Sequence, residues 1–574
     1  MVEVIDRYKQ WLTQEGLPSV LKDELKAVAE EESEISDRFY RWLEFGTGGM
    51  RGQLGAGTNR MNRFTIRRVA EGLARLIEDH GPEAKQRGVA IAYDTRYQSR
   101  EFAMETAGVL GAHNIRSFVF SEPRPTPELS FAVRELDTFS GVVITASHNP
   151  KEYNGFKVYG EDGGQLPPDK AAAIVDHMEA IQDIFEIHVL AEDGLKEHGL
   201  LVMLAEAMDA SYQEKLKTLQ MGEFPRDEVK IVYTPIHGTG NVPVQQALRN
   251  FGYTDVTVVP EQERPDPAFS TVDYPNPEEE EAFRLAIRLG SKIDADLLLA
   301  TDPDADRLGA AILLPTGGYD LLTGNQLGAL LLDYVLEQRK QAGTLPENGV
   351  LLKTIVTSEM GRAIASEYGV KTVDTLTGFK YISEKIEEYK TTGEYEFLFG
   401  YEESYGYLLA DFVRDKDAVQ AALLTAEAAA YYKSQGSSLH LQLQKLYKKI
   451  GYYRESLRSI TIPGEKGAET IAQLLASLRN APPAHLAGVK VEAIEDYDTG
   501  IIRSLDGEQR PTGLPKSNVL KFRLEDGSWC CVRPSGTEPK CKFYIGVRGI
   551  TGMDAVKKCD ALETAILQLV DPLL

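Results

Sequence analysis

Cysteine is scarce in this chain, and its spacing forms no motif. The four cysteines among 574 residues, Cys530, Cys531, Cys541 and Cys559, all lie in the last fifth of the sequence, and none forms a C-x-x-C pair. This pattern excludes a disulfide scaffold and a thioredoxin-type redox site. We expect buried, reduced thiols of the kind found in cytosolic proteins.

Long hydrophobic runs are missing as well. The longest apolar stretch, residues 327–336, is interrupted by Asp333, whereas a membrane-spanning helix needs about 20 apolar residues. The first residues include acids and no apolar core, so we expect no signal peptide. These features predict a cytoplasmic protein that has no membrane partner.

Basic residues are in deficit. Lys and Arg number 63 against 87 Asp and Glu, which gives a net charge of −24, and a nucleic-acid partner would need a basic surface. The charge does not exclude a small anion bound in a local basic pocket. Hydrophobic residues make up 43% and charged residues 26%, as in folded globular proteins, and the length favours about four domains.

Short apolar runs alternate with amphipathic stretches along most of the chain. The predicted strands are residues 89–93, 141–145, 229–234, 296–301, 350–356 and 397–401, with intervening helices such as 101–113, 169–181 and 417–432. This alternation is typical of α/β domains with mostly parallel sheets. After about residue 453, a helix (469–478), two antiparallel strands (519–524 and 528–532) and a C-terminal helix predict a separate α+β module.

Three aspartates follow one of the predicted strands. Asp302, Asp304 and Asp306 alternate in the segment DPDADR, so their carboxylates can converge on one side of an extended loop. Crowded carboxylates usually need a cation between them, and an all-oxygen set suits Mg²⁺. Arg307 offers a partner for an anion beside that metal. The alternative is an exposed acidic turn, which the strongly apolar strand before it disfavours.

Ser147 lies in another strand-end loop, TASHNP, beside His148. Ligands of open α/β sheets bind at the carboxyl ends of the strands, so Ser147 is a candidate nucleophile. Ser, Asn and Pro also form ordinary turns, and the segment alone does not separate the two interpretations. Neither G-x-S-x-G nor G-x-x-x-x-G-K-[ST] occurs in the chain, which excludes a hydrolase elbow and a P-loop.

Three further segments carry charged and hydroxyl groups. Residues 533–540 (RPSGTEPK) contain two cations and two hydroxyls, a composition that suits a phosphate cradle as well as a β-turn. Residues 400–406 (GYEESYG) contain paired acids and a serine, which suit sugar hydroxyls as well as a surface hairpin. Lys380 follows another strand in the segment TGFK.

Taken together, these motifs are similar to those of a known family. In chain order the sequence contains FGTGGMRG, TASHNP followed by NGFK, DPDADR, TGFK, GYEES and RPSGTEPK. Over essentially its full length it resembles the α-D-phosphohexomutases, and most closely their bacterial phosphoglucomutase branch, which includes phosphopentomutase-like members. The resemblance implies three α/β domains with mixed sheets and a C-terminal α+β domain with a helix-flanked antiparallel sheet. We place these domains at residues 1–208, 209–321, 322–453 and 454–574.

The resemblance also implies roles for individual residues. Ser147 is implied to be the phosphoserine, with a phosphate oxygen that ligates one Mg²⁺ per chain. The other implied metal ligands are Asp302, Asp304 and Asp306. The implied sugar contacts are Glu402 and Ser404, and the implied clamp on the non-reacting phosphate is Arg533, Ser535, Gly536 and Thr537. The residues that match positions lining the catalytic cleft are Arg51, His148, Lys157, Arg307 and Lys380.

The implied activity is interconversion of glucose 1-phosphate and glucose 6-phosphate. It would pass through a phosphoserine enzyme and glucose 1,6-bisphosphate, which would also act as activator. The general base stays open among Lys157, Lys380 and His148. The alternatives are phosphopentomutase or phosphomannomutase activity on the same scaffold, or a Mg²⁺-dependent sugar phosphatase. We expect a small-molecule sugar phosphate as partner and a monomer or weak homodimer.

Overall fold

The computed structural model describes residues 2–46, 48–462, 467–504, 507–535 and 540–570. The helices are α1 (Val2–Thr13), α2 (Ser19–Ala27), α3 (Glu32–Phe39), α4 (Arg63–Asp79), α5 (Pro82–Arg87), α6 (Ser99–Ala112), α7 (Thr126–Glu135), α8 (Pro168–Glu179), α9 (Glu192–Glu197), α10 (Glu206–Leu216), α11 (Asn241–Asn250), α12 (Glu280–Ile293), α13 (Gly324–Gln341), α14 (Met360–Glu367), α15 (Phe379–Thr392), α16 (Ala418–Ser434), α17 (Leu439–Ile450), α18 (Gly467–Asn480) and α19 (Gly552–Val570).

Strands alternate with these helices up to α17 and predominate after it. They are β1 (Gly49–Gln53), β2 (Val89–Tyr93), β3 (Ser117–Phe120), β4 (Ser140–Ile144), β5 (Tyr153–Tyr159), β6 (Leu201–Leu204), β7 (Ile231–Thr234), β8 (Val256–Val258), β9 (Leu297–Thr301), β10 (Leu308–Leu313), β11 (Tyr319–Leu321), β12 (Gly349–Thr354), β13 (Lys371–Thr375), β14 (Glu396–Glu402), β15 (Gly406–Leu408), β16 (Tyr452–Thr461), β17 (His485–Leu486), β18 (Val489–Asp496), β19 (Ile501–Ser504), β20 (Gln509–Pro511), β21 (Leu520–Leu524), β22 (Trp529–Pro534) and β23 (Lys540–Gly549).

The chain divides into two compact units. The first unit comprises Met1–Thr323, Ser383–Thr392 and Ser404–Gln435, and the second comprises Gly324–Ile382, Gly393–Glu403 and Gly436–Leu574. None of the helices in the described part of the chain is long and apolar enough to cross a membrane. The four predicted domain boundaries stay a prediction.

The first unit contains a six-stranded sheet in the order β1-β5-β4-β2-β3-β6. Strands β4, β2, β3 and β6 are parallel, while β5 and β1 run antiparallel to their neighbours. Every residue of β2 and β4 is buried, which is why both strands are evident as apolar runs in the sequence. Tyr93 is in register with Ile144, so the loops that begin at Asp94 and Thr145 leave the sheet side by side.

The first unit also contains a five-stranded sheet, in the order β11-β10-β9-β7-β8. Its strands β8, β7 and β9 are parallel, and β10 and β11 are antiparallel. Parallel pairs predominate in the α/β sheets, as expected, and the antiparallel strands, such as β5 and β10, are those that return directly after a loop. Strand β1 is absent from the predicted set, since its sequence GMRGQ has two glycines and no clear apolar alternation.

The second unit contains three parallel strands in the order β13-β12-β14. Its C-terminal part is an antiparallel sheet, β16-β23-β22-β21-β18-β19-β20, with β17 beside β18. Helices α18 and α19 supply Leu474, Leu562 and Ile566 to the core on one face of this sheet. All four cysteines are buried and free, which confirms the expectation of reduced thiols in the core.

Candidate active site

Ser147 lies in the irregular loop that follows β4. Its φ is +51°, a left-handed conformation that is uncommon for a residue with a side chain. The Ser147 N–H donates to Thr145 Oγ1 at 2.8 Å. The Ser147 hydroxyl donates to Asp302 Oδ2 at 2.7 Å. The loop after β4 is therefore in direct contact with the aspartate loop after β9.

The three aspartates converge as predicted. Asp302, Asp304 and Asp306 are buried, and their ligand oxygens lie within 4.8 Å of one another. Ala305 adopts φ +49° between them, and Asp302 Oδ1 accepts the N–H groups of Asp306 (3.1 Å) and Arg307 (3.0 Å). The loop is thus folded back on its first carboxylate, which brings alternate side chains to one side.

Lysines offset part of this negative charge. Lys157 Nζ lies 3.0 Å from Asp304 Oδ2 and 3.7 Å from Asp306 Oδ2, and Lys416 Nζ lies 3.1 Å from Asp306 Oδ2. Burial raises the pKa of Asp302 well above its ordinary value, and Asp304 and Asp306 add to the shift. Burial also acts against ionisation of Asp304, but Lys157 and the other hydrogen-bond donors outweigh it and lower its pKa.

Two carboxylate oxygens of the aspartate loop are suited to bind a divalent cation. Within the described ranges, Asp304 Oδ1 and Asp306 Oδ1 are buried and have no hydrogen-bond partner. An unpaired buried carboxylate oxygen is costly, and hard cations such as Mg²⁺ bind carboxylate oxygens. The donor set, which is all oxygen, matches the Mg²⁺ that the sequence predicts.

Other predicted residues of the first unit surround the Ser147 loop. Arg51, on the strand β1, donates through Nη1 to Asn149 Oδ1 at 2.7 Å. His148 Nδ1 is 3.3 Å from Ser147 Oγ. Burial lowers the pKa of His148 well below its ordinary value, and the cations of Arg307 and Arg51 lower it further. Arg307 itself is paired through Nη1 with Glu278 Oε1 at 2.8 Å.

Ser404 belongs to a segment of the first unit that lies beside the strand following the aspartate loop. The N–H of Leu308 donates to the carbonyl of Tyr405 at 3.1 Å, and Arg307 forms an isolated bridge with Gly406. Tyr405 has φ +64°. The structure thus places the two residues that follow Ser404 beside Arg307 and Leu308, at the end of the aspartate loop.

The second unit holds the remaining predicted sugar and lysine residues. Glu402 is buried at the end of β14, which extends further than the predicted strand. The carboxylate of Glu403 accepts the hydroxyls of Thr354 (3.2 Å) and Thr357 (3.3 Å). Lys380 is buried in the first turn of α15, with Nζ 5.1 Å from the centre of the Tyr381 ring.

The predicted phosphate clamp is described in part. Arg533 lies on β22, and burial raises the pKa of Tyr544 on β23 while the positive charge of Arg533 acts against that shift. The N–H of Ser535 donates to the carbonyl of Lys540 at 2.7 Å. Gly536 and Thr537 lie outside the described residues.

Several residues near these loops escaped the sequence prediction. Arg96 donates to the carbonyl of Ser147. The hydroxyl of Thr126 donates to Asp304 Oδ2 in the aspartate loop at 2.9 Å. Arg96 follows β2, so the strand-end rule that identified Ser147 could also have identified it. Lys416 carries no such signal, because it lies in an irregular segment before α16.

All four domains of one family match this sequence. The phosphoglucomutase/phosphomannomutase alpha/beta/alpha domains I, II and III match residues 43–184, 210–313 and 323–450, and the C-terminal domain matches residues 478–549. A phosphoglucomutase of Staphylococcus haemolyticus (strain JCSC1435) is 39% identical over 507 residues, which are 88% of this chain and 90% of that protein. The chain belongs to the phosphoglucomutase/phosphomannomutase family. This confirms the phosphohexomutase resemblance and the four-domain α/β architecture with an antiparallel sheet in the C-terminal domain.

Solved structures of family members share the fold. The exocytosis-sensitive phosphoprotein pp63/parafusin of Paramecium, a phosphoglucomutase in its open form, superposes with a TM-score of 0.69 at 19% identity, covering 93% of this chain and 95% of that one. A phosphoglucomutase/phosphomannomutase family protein of Burkholderia thailandensis gives 0.66 at 17% identity, covering 92% and 97%.

Proposed function

We propose that this chain is a phosphoglucomutase, which interconverts glucose 1-phosphate and glucose 6-phosphate through phospho-Ser147 and glucose 1,6-bisphosphate. The observation that carries the proposal is the Ser147 hydroxyl, 2.7 Å from Asp302 in a buried cluster of three carboxylates. A serine placed against a metal-binding cluster is suited to give and regain a phosphoryl group. The 39% identity to a phosphoglucomutase supports glucose phosphates as substrates.

Phosphoryl transfer asks the protein mainly for positioning and charge stabilisation. Asp302, Asp304 and Asp306, with an oxygen of phospho-Ser147, would hold one Mg²⁺, which when bound offsets the charge of the transferring phosphoryl group. Arg51 and Lys157 add positive charge on the side of the Ser147 loop. The buried position of Ser147, 3% exposed, limits the access of water to the phosphoserine.

The reacting sugar hydroxyl must lose its proton to a general base. The base stays open among His148, Lys157 and Lys380. In the first unit, His148 lies 3.3 Å from the Ser147 hydroxyl and Lys157 contacts the carboxylates, so both are placed to accept or return a proton there.

Substrate recognition is assigned to the residues that the family resemblance implies. We assign the sugar hydroxyls to Glu402 and Ser404, and the Glu403 contacts with Thr354 and Thr357 hold the end of β14 that carries Glu402. The non-reacting phosphate is assigned to Arg533, Ser535, Gly536 and Thr537. Because glucose 1,6-bisphosphate must present either phosphate to Ser147, this clamp has to accept both, which suits ionic contacts.

The proposal also includes the domain boundaries, the location, the oligomeric state and the activator expected from the sequence. We retain the domain boundaries at residues 1–208, 209–321, 322–453 and 454–574, a cytoplasmic location, and a monomer or weak homodimer. Glucose 1,6-bisphosphate is the expected activator.

The test is turnover of glucose 1-phosphate with Mg²⁺ and trace glucose 1,6-bisphosphate, following glucose 6-phosphate and free phosphate. We expect glucose 6-phosphate without free phosphate, and less product from ribose 1-phosphate or mannose 1-phosphate. Ser147→Ala should abolish turnover, whereas Ser211→Ala, which removes a surface hydroxyl paired with Glu135, should not. Turnover by Ser147→Ala would refute the phosphoserine, and stoichiometric free phosphate would indicate a phosphatase.

A further inference from the structure

Arg96 is a completely buried arginine whose guanidinium faces the Ser147 loop. Its Nη1 donates to the carbonyls of Pro150 (2.8 Å) and Tyr153 (3.1 Å). Its Nη2 donates to the carbonyls of Ser147 and Asn149. A single side chain therefore donates to three main-chain carbonyls of one irregular loop and to the carbonyl of Tyr153, the first residue of β5.

These contacts suit arginine specifically. The guanidinium is a rigid plane with five N–H donors, whereas the lysine ammonium is a compact charge on a flexible stem. Residues 145–152 form no strand or helix, so their carbonyls lack a regular ladder of donors. Arg96 supplies donors to the carbonyls of Ser147 and Asn149, and it adds a second donor to that of Pro150, which also accepts the N–H of Tyr153.

Arg96 is itself held from two sides. Its Nε lies 3.3 Å from Asp94 Oδ2, and both side chains are fully buried. Asp94 Oδ1 accepts from the N–H of Arg96 (2.9 Å) and the hydroxyl of Ser99 (2.7 Å). Asp94 therefore holds Arg96 through both its guanidinium and its backbone N–H.

The second support comes from a phenylalanine. The Phe269 ring centre lies 4.9 Å from Arg96 Cζ. Phe269 is buried and adopts φ +45°, which is rare for a bulky residue, in a turn where Asp266 accepts the N–H groups of Ala268 and Ser270. Phe269 keeps this unfavourable conformation while its ring covers the guanidinium.

We propose that Arg96, held by Asp94 and Phe269, is a positioning residue that fixes the Ser147 loop in the geometry required for phosphoryl transfer. The proposal rests on the proposed function. Ser147 is held in a left-handed conformation with its hydroxyl 2.7 Å from Asp302, and misplacing a reacting group by about 1 Å costs roughly 100-fold in rate. The hydrogen bonds of the Arg96 guanidinium go to main-chain carbonyls, so Arg96 acts through the backbone of the loop.

The test compares Arg96→Lys with a matched variant, Arg226→Lys. Arg226 also donates to two carbonyls, those of Phe251 (3.1 Å) and Gly222 (2.7 Å), and its guanidinium lies 5.8 Å from the Phe251 ring centre. None of these partners belongs to the Ser147 or aspartate loops. We expect Arg96→Lys to lower kcat about 100-fold while KM for glucose 1-phosphate changes less than about twofold. Arg226→Lys should change neither.

A single-turnover measurement separates positioning from folding. Each enzyme is phosphorylated with labelled glucose 1,6-bisphosphate, freed of ligand and mixed with glucose 1-phosphate and Mg²⁺, and loss of label from the protein is followed. Partial unfolding would lower the amplitude, whereas a misplaced Ser147 lowers the rate constant. We expect the rate constant to fall for Arg96→Lys, and to fall less for Phe269→Leu, which keeps an apolar side chain but removes the ring.

An unchanged rate constant in both variants would overturn the positioning role, even if the amplitude fell. Should Arg96→Lys not fold, Phe269→Leu decides the matter by the same measurement. If the wild-type protein itself forms no phosphoenzyme and no glucose 6-phosphate, the proposed function fails, which is distinct from failure of this inference.

Discussion

Lys157 allows the charge balance of the carboxylate cluster to be tested directly. Its Nζ lies 3.0 Å from Asp304 Oδ2, and the side chains are 12% and 0% exposed. Lys157→Met keeps the apolar stem and removes the ammonium, while the neutral hydroxyl of Thr126 still donates to Asp304 at 2.9 Å. The variant thus leaves a buried carboxylate without its cation.

The expected magnitude follows from that burial. Removing one partner of a buried ion pair costs about 3–5 kcal/mol. We expect the lower end, about 3 kcal/mol, because Lys416 still contacts Asp306 in the same cluster. At roughly 2 °C per kcal/mol for a large domain, the Tm without metal should fall by about 6 °C.

Mg²⁺ should restore much of this loss. A ligand at 100 times its Kd stabilises the folded state by about 2.7 kcal/mol, and the cation also replaces the charge that the variant lacks. The assay is a thermal melt of both proteins in chelator and in saturating Mg²⁺, and the Mg²⁺-induced rise in Tm should be larger for Lys157→Met than for the wild type. Lys490→Met removes an exposed partner of Glu525, 3.0 Å away, and should leave both melts unchanged. Equal Mg²⁺ shifts in variant and wild type, or no loss of Tm in chelator, would refute this account of the cluster.

Two further predictions concern pH and substrate binding. Burial raises the pKa of Asp417, the N-cap of α16, to about 6, whereas the pKa in the unfolded chain is about 3.9. Between these two values the folded state binds a proton that the unfolded state has lost. The free energy of unfolding therefore falls as the pH rises from about 4 to 6. Asp417→Asn keeps the cap acceptor without the charge and should raise Tm at pH 8 but not at pH 4; melts showing equal effects at both pH values would contradict this. Arg533→Ala should raise KM for glucose 1-phosphate about 10-fold or more, since a charge-assisted hydrogen bond contributes about 1.5–3 kcal/mol, with a smaller effect on kcat; steady-state kinetics with an unchanged KM would speak against the clamp.

The elements that the sequence predicts well are those with a local signature. The strands β2, β4 and β9 are buried along their whole length, so each is a short apolar run. Asp302, Asp304 and Asp306 alternate after β9, and alternation alone predicts that they share one side of the loop. The alanine-rich stretch predicted as a helix over 417–432 is α16, which begins one residue later with Asp417 as its N-cap.

Other features of the structure have no local pattern in the sequence that would predict them. Strand β1 has two glycines in five residues and is a strand because it pairs with β5. Arg96 binds main-chain carbonyls, which every residue type possesses, so its partners do not show in the sequence. Lys416 lies in an irregular segment, and its contact with Asp306 exists because the chain returns to the aspartate loop.

Periodicity and strand-end loops, which depend on neighbours a few residues away, determine the α/β pattern, the aspartate loop and the Ser147 loop from the chain alone. The contact between the Ser147 loop and the aspartate loop is not determined by such local patterns. Ser147 and Asp302 are 155 residues apart in the chain and 2.7 Å apart in the folded protein. Contacts over such separations depend on how two sheets pack, and the same packing buries the carboxylates and places Lys157 and Lys416 among them. The sequence therefore predicts which hydroxyl and carboxylate groups form the site, whereas burial and long-range packing determine the charge states of these groups and the distances between them.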